Sequence, residues 1–228
     1  MKKTVLSTFV LSFALLLSGY AQAQTIEAVY SLKFDSTDAV EAALNELFED
    51  DDLRGSKATL YVNDLGVPGE GTHTIVADYD NYAARTKLDK ARVESHGWAN
   101  YVLATQGSEL VSADLAIVIE DFGKARHEAG YLVAYTMQVR DAGKYRDALA
   151  KMDKAIGNPG VLRLVAVRSG TTDVTHAVLV GASDFAAANE YLDKLYASDA
   201  FKTFVEEVGD IRRVGNIAMY RRVGHWGY

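Results

Sequence analysis

The chain has 228 residues, with 24 Lys and Arg against 31 Asp and Glu, a net charge of −7 and no cysteine. The missing thiols exclude disulfides, zinc–thiolate centres and cysteine nucleophiles. The acidic balance argues against binding nucleic acid through its phosphates.

Residues 1–23, MKKTVLSTFVLSFALLLSGYAQA, open with Lys2 and Lys3, run apolar from Val5 to Leu17 and end in Ala21-Gln22-Ala23. A basic start, a short apolar stretch and a small-x-small site mark a secretory signal peptide. Cleavage after Ala23 and a periplasmic or secreted location are therefore expected. No later apolar run is long enough for a membrane-spanning helix, so no stable membrane insertion is expected once the signal is removed. The 205 residues that follow carry 22 basic against 31 acidic side chains, and suffice to bury a core without disulfides.

After the leader, Glu27–Phe34 alternates as a strand. Val40, Ala43, Leu44, Leu47 and Phe48 then fall on one helical face, behind the cap candidates Ser36, Thr37 and Asp38. Lys57–Asn63 and Thr72–Asp78 read as strands around the turn-rich DLGVPGEG. A second helix is expected from Asn81 to a break near Gly97, then a short turn carrying Trp98, Tyr101 and Val102, then a strand over Ala113–Glu120. The order recurs: strand Tyr131–Arg140; a helical face of Tyr145, Ala148, Leu149, Met152 and Ile156; strands Val161–Arg168 and Thr175–Val180; helical faces of Phe185, Ala188, Leu192 and Leu195 and of Phe201, Phe204, Val205 and Val208; and strand Asn216–Val223.

The recurrence extends to residues. Thr72-His73 and Thr175-His176 stand 103 positions apart, and Tyr82-Ala83-Ala84 matches Phe185-Ala186-Ala187 at the same offset, as Trp98 and Tyr101 match Phe201 and Phe204. Ordered self-similarity of this kind points to an internal duplication. The expected domains are 24–124 and 125–228, each a βαββαβ unit of ferredoxin-like type. Each sheet has one face covered by its helices and the other bare. Packing the bare faces together makes an α+β fold, an intrachain barrel with helices outside.

The stretch YASDAFKTFVEEVGDI (196–211), and the fainter VESHGWANYVLATQG in the first half, resemble the dimeric α/β barrel proteins, most closely antibiotic biosynthesis monooxygenase-like and stress-responsive barrel domains. That resemblance implies the same tandem barrel. Many of those domains carry two histidines around this motif; the matching places here hold Leu195 and Ala200, and Arg92 and Gly97.

Strand parity indicates what faces the barrel interior. Tyr30, Leu32 and Phe34, like Tyr135, Met137 and Val139, are large apolar sets for the helices to cover. The opposite faces hold Val29, Ser31 and Lys33; Ala134, Thr136 and Gln138; Ala116, Val118 and Glu120; and Ala218, Tyr220 and Arg222. Mixed small, apolar and polar residues are the lining of a small-molecule pocket. The expected ligand-binding residues are Lys33, Thr136, Gln138, Tyr220 and Arg222, with His73 and His176 near the edges. The two cations favour a small organic ligand with anionic or phenolate character. Each histidine also has a plainer reading, as a strand entry bonded to its neighbours.

No metal-ligand spacing, phosphate loop, dinucleotide fingerprint or nucleophile elbow stands out, so no cofactor and no metal is expected. Glu49-Asp50-Asp51-Asp52 lacks the pattern of a calcium loop and reads as solvated. The carboxy-terminal GHWGY either caps a barrel mouth or frays. Partners are thus a small molecule and, as an open alternative, further copies of the chain. Three functions stand side by side: an exported small-molecule-binding barrel, a cofactor-independent monooxygenase of aromatic or polyketide-like substrates, and a structural or stress-related protein without a ligand.

Overall fold

The computed structural model describes residues 24–66, 71–157, 160–170 and 173–228. The expected leader and parts of the DLGVPGEG and SGTTD turns lie outside the described residues. The first half runs β1 (Ile26–Lys33), α1 (Thr37–Glu49), β2 (Lys57–Leu65), β3 (His73–Tyr79), α2 (Tyr82–Glu94), α3 (His96–Ala104) and β4 (Glu109–Asp121). The second runs β5 (Tyr131–Val139), α4 (Ala142–Ile156), β6 (Val161–Ser169), β7 (His176–Ala182), α5 (Phe185–Ala197), α6 (Asp199–Val208) and β8 (Arg212–Trp226).

The eight strands close into one antiparallel barrel in the order β1-β3-β2-β8-β5-β7-β6-β4, with β4 returning to β1. The halves exchange edges: β2 pairs with β8 and β4 with β6. Neither half therefore leaves a bare sheet edge, because closure removes edges altogether. β8 is longer than the alternation suggested, since it pairs with β5 along one side and with β2 as far as Ala58↔Trp226 on the other.

The helices cover the outside. Each helix begins at a side-chain cap, and Ser36, Asn81, Ser95, Asp141, Asp184 and Ser198 each accept from a backbone N–H near the helix start. The acidic run after α1 has a local role. Asp50 accepts from Asp52 N, Ser95 Oγ and Gly97 N, tying the end of α1 to the start of α3, and these hydrogen bonds hold its carboxyl below the usual range.

The two helix layers pack differently. In the second half Leu149, Met152, Tyr191, Leu192, Leu195, Phe204 and Val208 form a continuous buried core with the outer face of β5, β6 and β7. In the first half neither α2 nor α3 buries a residue. The cause is in the sequence: at the 103-residue offset, Asp89 and Arg92 of α2 stand where α5 has Leu192 and Leu195.

A buried charge network closes one end of the barrel. Arg126, in the short 3₁₀ turn between the halves, donates Nε to Glu27 Oε1 at 2.9 Å, Nη1 to Tyr61 Oη at 2.8 Å and Nη2 to Asp78. Arg163 of β6 donates to the same Glu27 oxygen, and grips Asp121 with Nε and Nη2. The Tyr228 hydroxyl reaches in from the carboxy terminus to donate to Asp78. Trp226 stacks on Phe48 and donates its indole N–H to Asn45, so the tail is held rather than frayed. Glu27 and Arg126 are each 2 % exposed. Burial alone would push the Glu27 carboxyl up; Arg126 and Arg163 outweigh it and hold the group below its ordinary range. At Asp78 burial wins over Arg126, helped by the nearby Glu27 charge, and the carboxyl is pushed up to about 6.

Removing one member of a buried ion cluster leaves the others unpaired, at a cost of about 3–5 kcal/mol. Glu27→Ala, which removes the acceptor that Arg126 and Arg163 share, is expected to lower stability by up to that order in equilibrium urea denaturation. The network also carries a pH dependence. Asp78 binds its proton more tightly folded than unfolded, so its contribution is full below the ordinary aspartate value and is lost as pH rises to about 6. The stability of Asp78→Asn relative to the parent should therefore climb as pH rises from about 4 to about 6 and then level off. Urea midpoints measured across that range test it; a difference that stays flat would contradict the assignment.

Candidate functional site

Inside the barrel is a cavity of about 590 Å³. Its wall is largely apolar, with Val29, Val76, Ala116, Leu132, Ala134, Val165, Ala177 and Ala218 among the residues that line it. These come from the faces that parity assigns to the interior, while Tyr30 and Leu32 lie on the helix side. Polar groups are interspersed in this wall, and many of them are bonded within the protein. Asn63 donates to Gly71 O and accepts from Thr74 Oγ1. Ser31 Oγ accepts from Gly71 N, and the Thr136 hydroxyl both donates to Asn216 O and accepts from Asn216 N. Tyr61 accepts from Arg126, with its own hydroxyl pKa raised by burial.

Of the residues proposed from sequence, Thr136 and Tyr220 are in this wall, with Tyr220 packed edge-on to Tyr61. The other five are elsewhere. Lys33 is the last residue of β1, beyond an irregularity in the β1–β4 pairing at Ser31/Leu32, and its ammonium pairs with Glu109 at 2.9 Å in solvent. Gln138 lies beyond a similar shift at Tyr135/Met137, opposite Arg213 and partly exposed. Arg222 donates to the carbonyl of His127 in the connection between the halves. With both cations outside the wall, they give no ground for an anionic ligand.

His73 and His176 point the other way from the cavity, because their strands place Ile75, and likewise Val178, on the helix side. His73 Nδ1 and Nε2 lie 2.8 Å and 2.9 Å from the hydroxyls of Thr72 and Thr37, and its ring edge meets Phe34. His176 Nδ1 lies 2.9 Å from Thr175 Oγ1. The two threonines do the same structural work, since Thr72 accepts from Phe34 N, and Thr175 from Val139 N, at the ends of β1 and β5. Burial holds both imidazoles below the ordinary histidine range, so they are neutral at neutral pH. Among the described residues, no three His, Asp or Glu side chains converge as a metal-holding group.

Several polar lining residues were not proposed from sequence, among them Glu27, Asn63, Thr74 and Asp114; Asp114 of β4 lies opposite Val29 in the β1–β4 register and so on the interior side. Its Oδ2 accepts weakly from Ser112 at 3.3 Å, while Oδ1 is buried without a hydrogen-bond partner. Burial raises its pKa, and the Ser112 bond only partly opposes the shift. The carboxylate lies against Gly170, which has φ +113°; a Cβ there would collide with Asp114 Oδ1. Glycine is thus required at 170 both for backbone and for space.

A second, smaller cavity of about 250 Å³ lies under the loosely packed helices of the first half. Tyr30, Leu44, Phe48, Trp98, Tyr101 and Arg92 are among its lining. The Arg92 guanidinium sits 4.7 Å from the Trp98 ring and donates to Tyr79 Oη. Burial pushes the Tyr101 hydroxyl up to about 12.

No protein-family model matches the sequence, and no curated protein does. Solved structures do match. An anthrone oxidase-like protein aligns over 90% of this chain and 93% of its own, with a TM-score of 0.58 and 13% identity. A candidate monooxygenase from Fusobacterium nucleatum aligns over 90% and 95%, with a TM-score of 0.60 and 15% identity. Another from Lactobacillus acidophilus aligns over 89% and 96%, with a TM-score of 0.57 and 12% identity. At these identities the likeness concerns the backbone alone: the chain shares with these structures an α+β fold, here an eight-stranded antiparallel barrel with helices outside, closed within one polypeptide.

Proposed function

We propose that the protein is an exported small-molecule-binding barrel, built by tandem duplication of a ferredoxin-like βαββαβ unit, and that its ligand occupies the barrel interior. The observation that carries this reading is the cavity of about 590 Å³, with a mainly apolar wall interspersed with polar groups, within the size range of small-molecule sites. Export is inferred from residues 1–23. Among the described residues, no helix is long and apolar enough to cross a membrane. Duplication is supported by the repeated element order and by the shared role of Thr72 and Thr175.

The rival reading is a cofactor-independent monooxygenase of aromatic or polyketide-like substrates. Two observations favour it: the neighbours' descriptions, and the aromatic cavity beside Arg92. Such a reaction needs a base to ionise the substrate before oxygen is reduced. Among the lining of the helix-side cavity the titratable groups are tyrosines, Lys57 and Arg92, and the neutral histidines are bonded to threonines, so a base would have to be Asp114 in the interior cavity. The interior cavity itself supports binding directly, whereas oxygen chemistry is supported only by the neighbours' names and the aromatic cavity.

Native mass spectrometry of protein isolated from its source cells is expected to show an added small-molecule mass. Ala177→Trp, which fills the cavity from its wall, should abolish that mass while leaving the circular dichroism of the barrel intact. Oxygen uptake by the purified protein with an anthrone or quinol, surviving Ala177→Trp, would favour the monooxygenase reading instead.

A further inference from the structure

We propose that Asp114 is the recognition group of the interior cavity, and that the ligand it takes is a cationic amine on an apolar or aromatic body. This rests on the interior cavity being the ligand site. Most polar groups of the wall are already engaged. Ser31, Asn63, Thr74, Thr136 and Tyr61 have protein partners in the described structure. Arg126 and Glu27, at the closed end, are spent on one another and on their neighbours. Asp114 is different: one carboxylate oxygen is buried without a partner, the other has a single long contact with a serine, and no cation among the described residues forms an ion pair with it.

Burying part of a carboxylate without donors is costly, and such a group is ordinarily paired. The space around it is kept open, since a side chain at Gly170 would collide with the carboxylate. A ligand ammonium would bring several N–H donors and a counter-charge together.

Charge balance sets the sign of the ligand. Arg126 and Arg163 are opposed by Glu27, Asp78 and Asp121, so no surplus positive charge is left at the closed end. Asp114 then makes the cavity negative, which disfavours an anion. The wall fixes the rest of the molecule: Val29, Ala134, Val165, Val167 and Ala218 offer only apolar contact. The corresponding place on β8 holds the neutral Asn216, so the cavity has one such head-group site.

The test uses three probes that share a body and differ in the head: 4-phenylbutylamine, 4-phenylbutanol and 4-phenylbutyrate, titrated calorimetrically at neutral pH. The amine is expected to bind at least about tenfold more tightly than the alcohol, as for a hydrogen bond to a charged group, with the butyrate weakest. Asp114→Asn should bring the amine to the level of the alcohol. Equal binding of amine and alcohol by the parent, or an amine preference that survives Asp114→Asn, overturns the proposal. The underlying cavity reading is judged separately, by whether alcohol binding is lost in Ala177→Trp; retention there puts the site elsewhere. If none of the three binds, the amine proposal falls, and the cavity is judged by the mass measurement, which presumes no ligand class.

Discussion

One carboxylate oxygen of Glu27 accepts from two arginines, Arg126 in the connection between the halves and Arg163 on β6 of the second half. Glu27 itself sits at the start of β1 in the first half. This shared acceptor holds together the three parts of the chain that closure requires. It also fixes register. A one-residue slip of β1 would carry Glu27 to the helix layer, take from both guanidiniums the acceptor they share and turn Val29 and Ser31 out of the cavity. The network contributes specificity as much as stability, since buried ion pairs add little net free energy over well-packed apolar groups.

Much of the barrel was legible because a period of two leaves a clear trace when one face is packed against helices. Tyr30 and Leu32 against Val29 and Ser31 is such a trace, and it located Thr136 and Tyr220 in the wall. It failed at strand ends. Lys33 and Gln138 lie past irregularities in pairing, where an extra residue on the partner breaks the simple alternation. The Thr-His pairs were visible as a repeat, but their role in finishing β1 and β5 depends on hydrogen bonds that no spacing reveals. The network leaves some trace in the sequence. Arg163 interrupts VLRLVAV, an otherwise apolar strand, and Glu27 and Asp78 share the interior parity of their strands. Arg126 had none: it stands in a polar connection indistinguishable by composition from a solvated one. Asp114 carries the same lesson, since an acid at a strand start looks like a solvated rim until the register places it inside.

The contrast between the helix layers shows how few substitutions change a packing solution. Two positions on α2, Asp89 and Arg92, are apolar in α5, and that difference accompanies a well-filled core on one side and a cavity on the other. Arg92 is not simply misplaced. Its guanidinium covers Trp98 and donates to Tyr79, so the polar residue lines the cavity it leaves behind.

Among the described residues, the buried charge network has no counterpart related by the repeat. Where the first half has Glu27, Asp78 and Thr59, the corresponding strand positions of the second half hold Leu132, Gly181 and Arg163. A barrel assembled from two identical chains would be bound by its two-fold axis to contain each interior side chain an even number of times. Every acid would then face its own duplicate across a narrow space, and a like pair there would hold one proton between them. Joining the halves covalently lifts that arithmetic. The interior can hold a single Glu27 with two different arginines, and a single Asp114 with no twin, so one barrel can present a handed, polar cavity with a distinct head and tail.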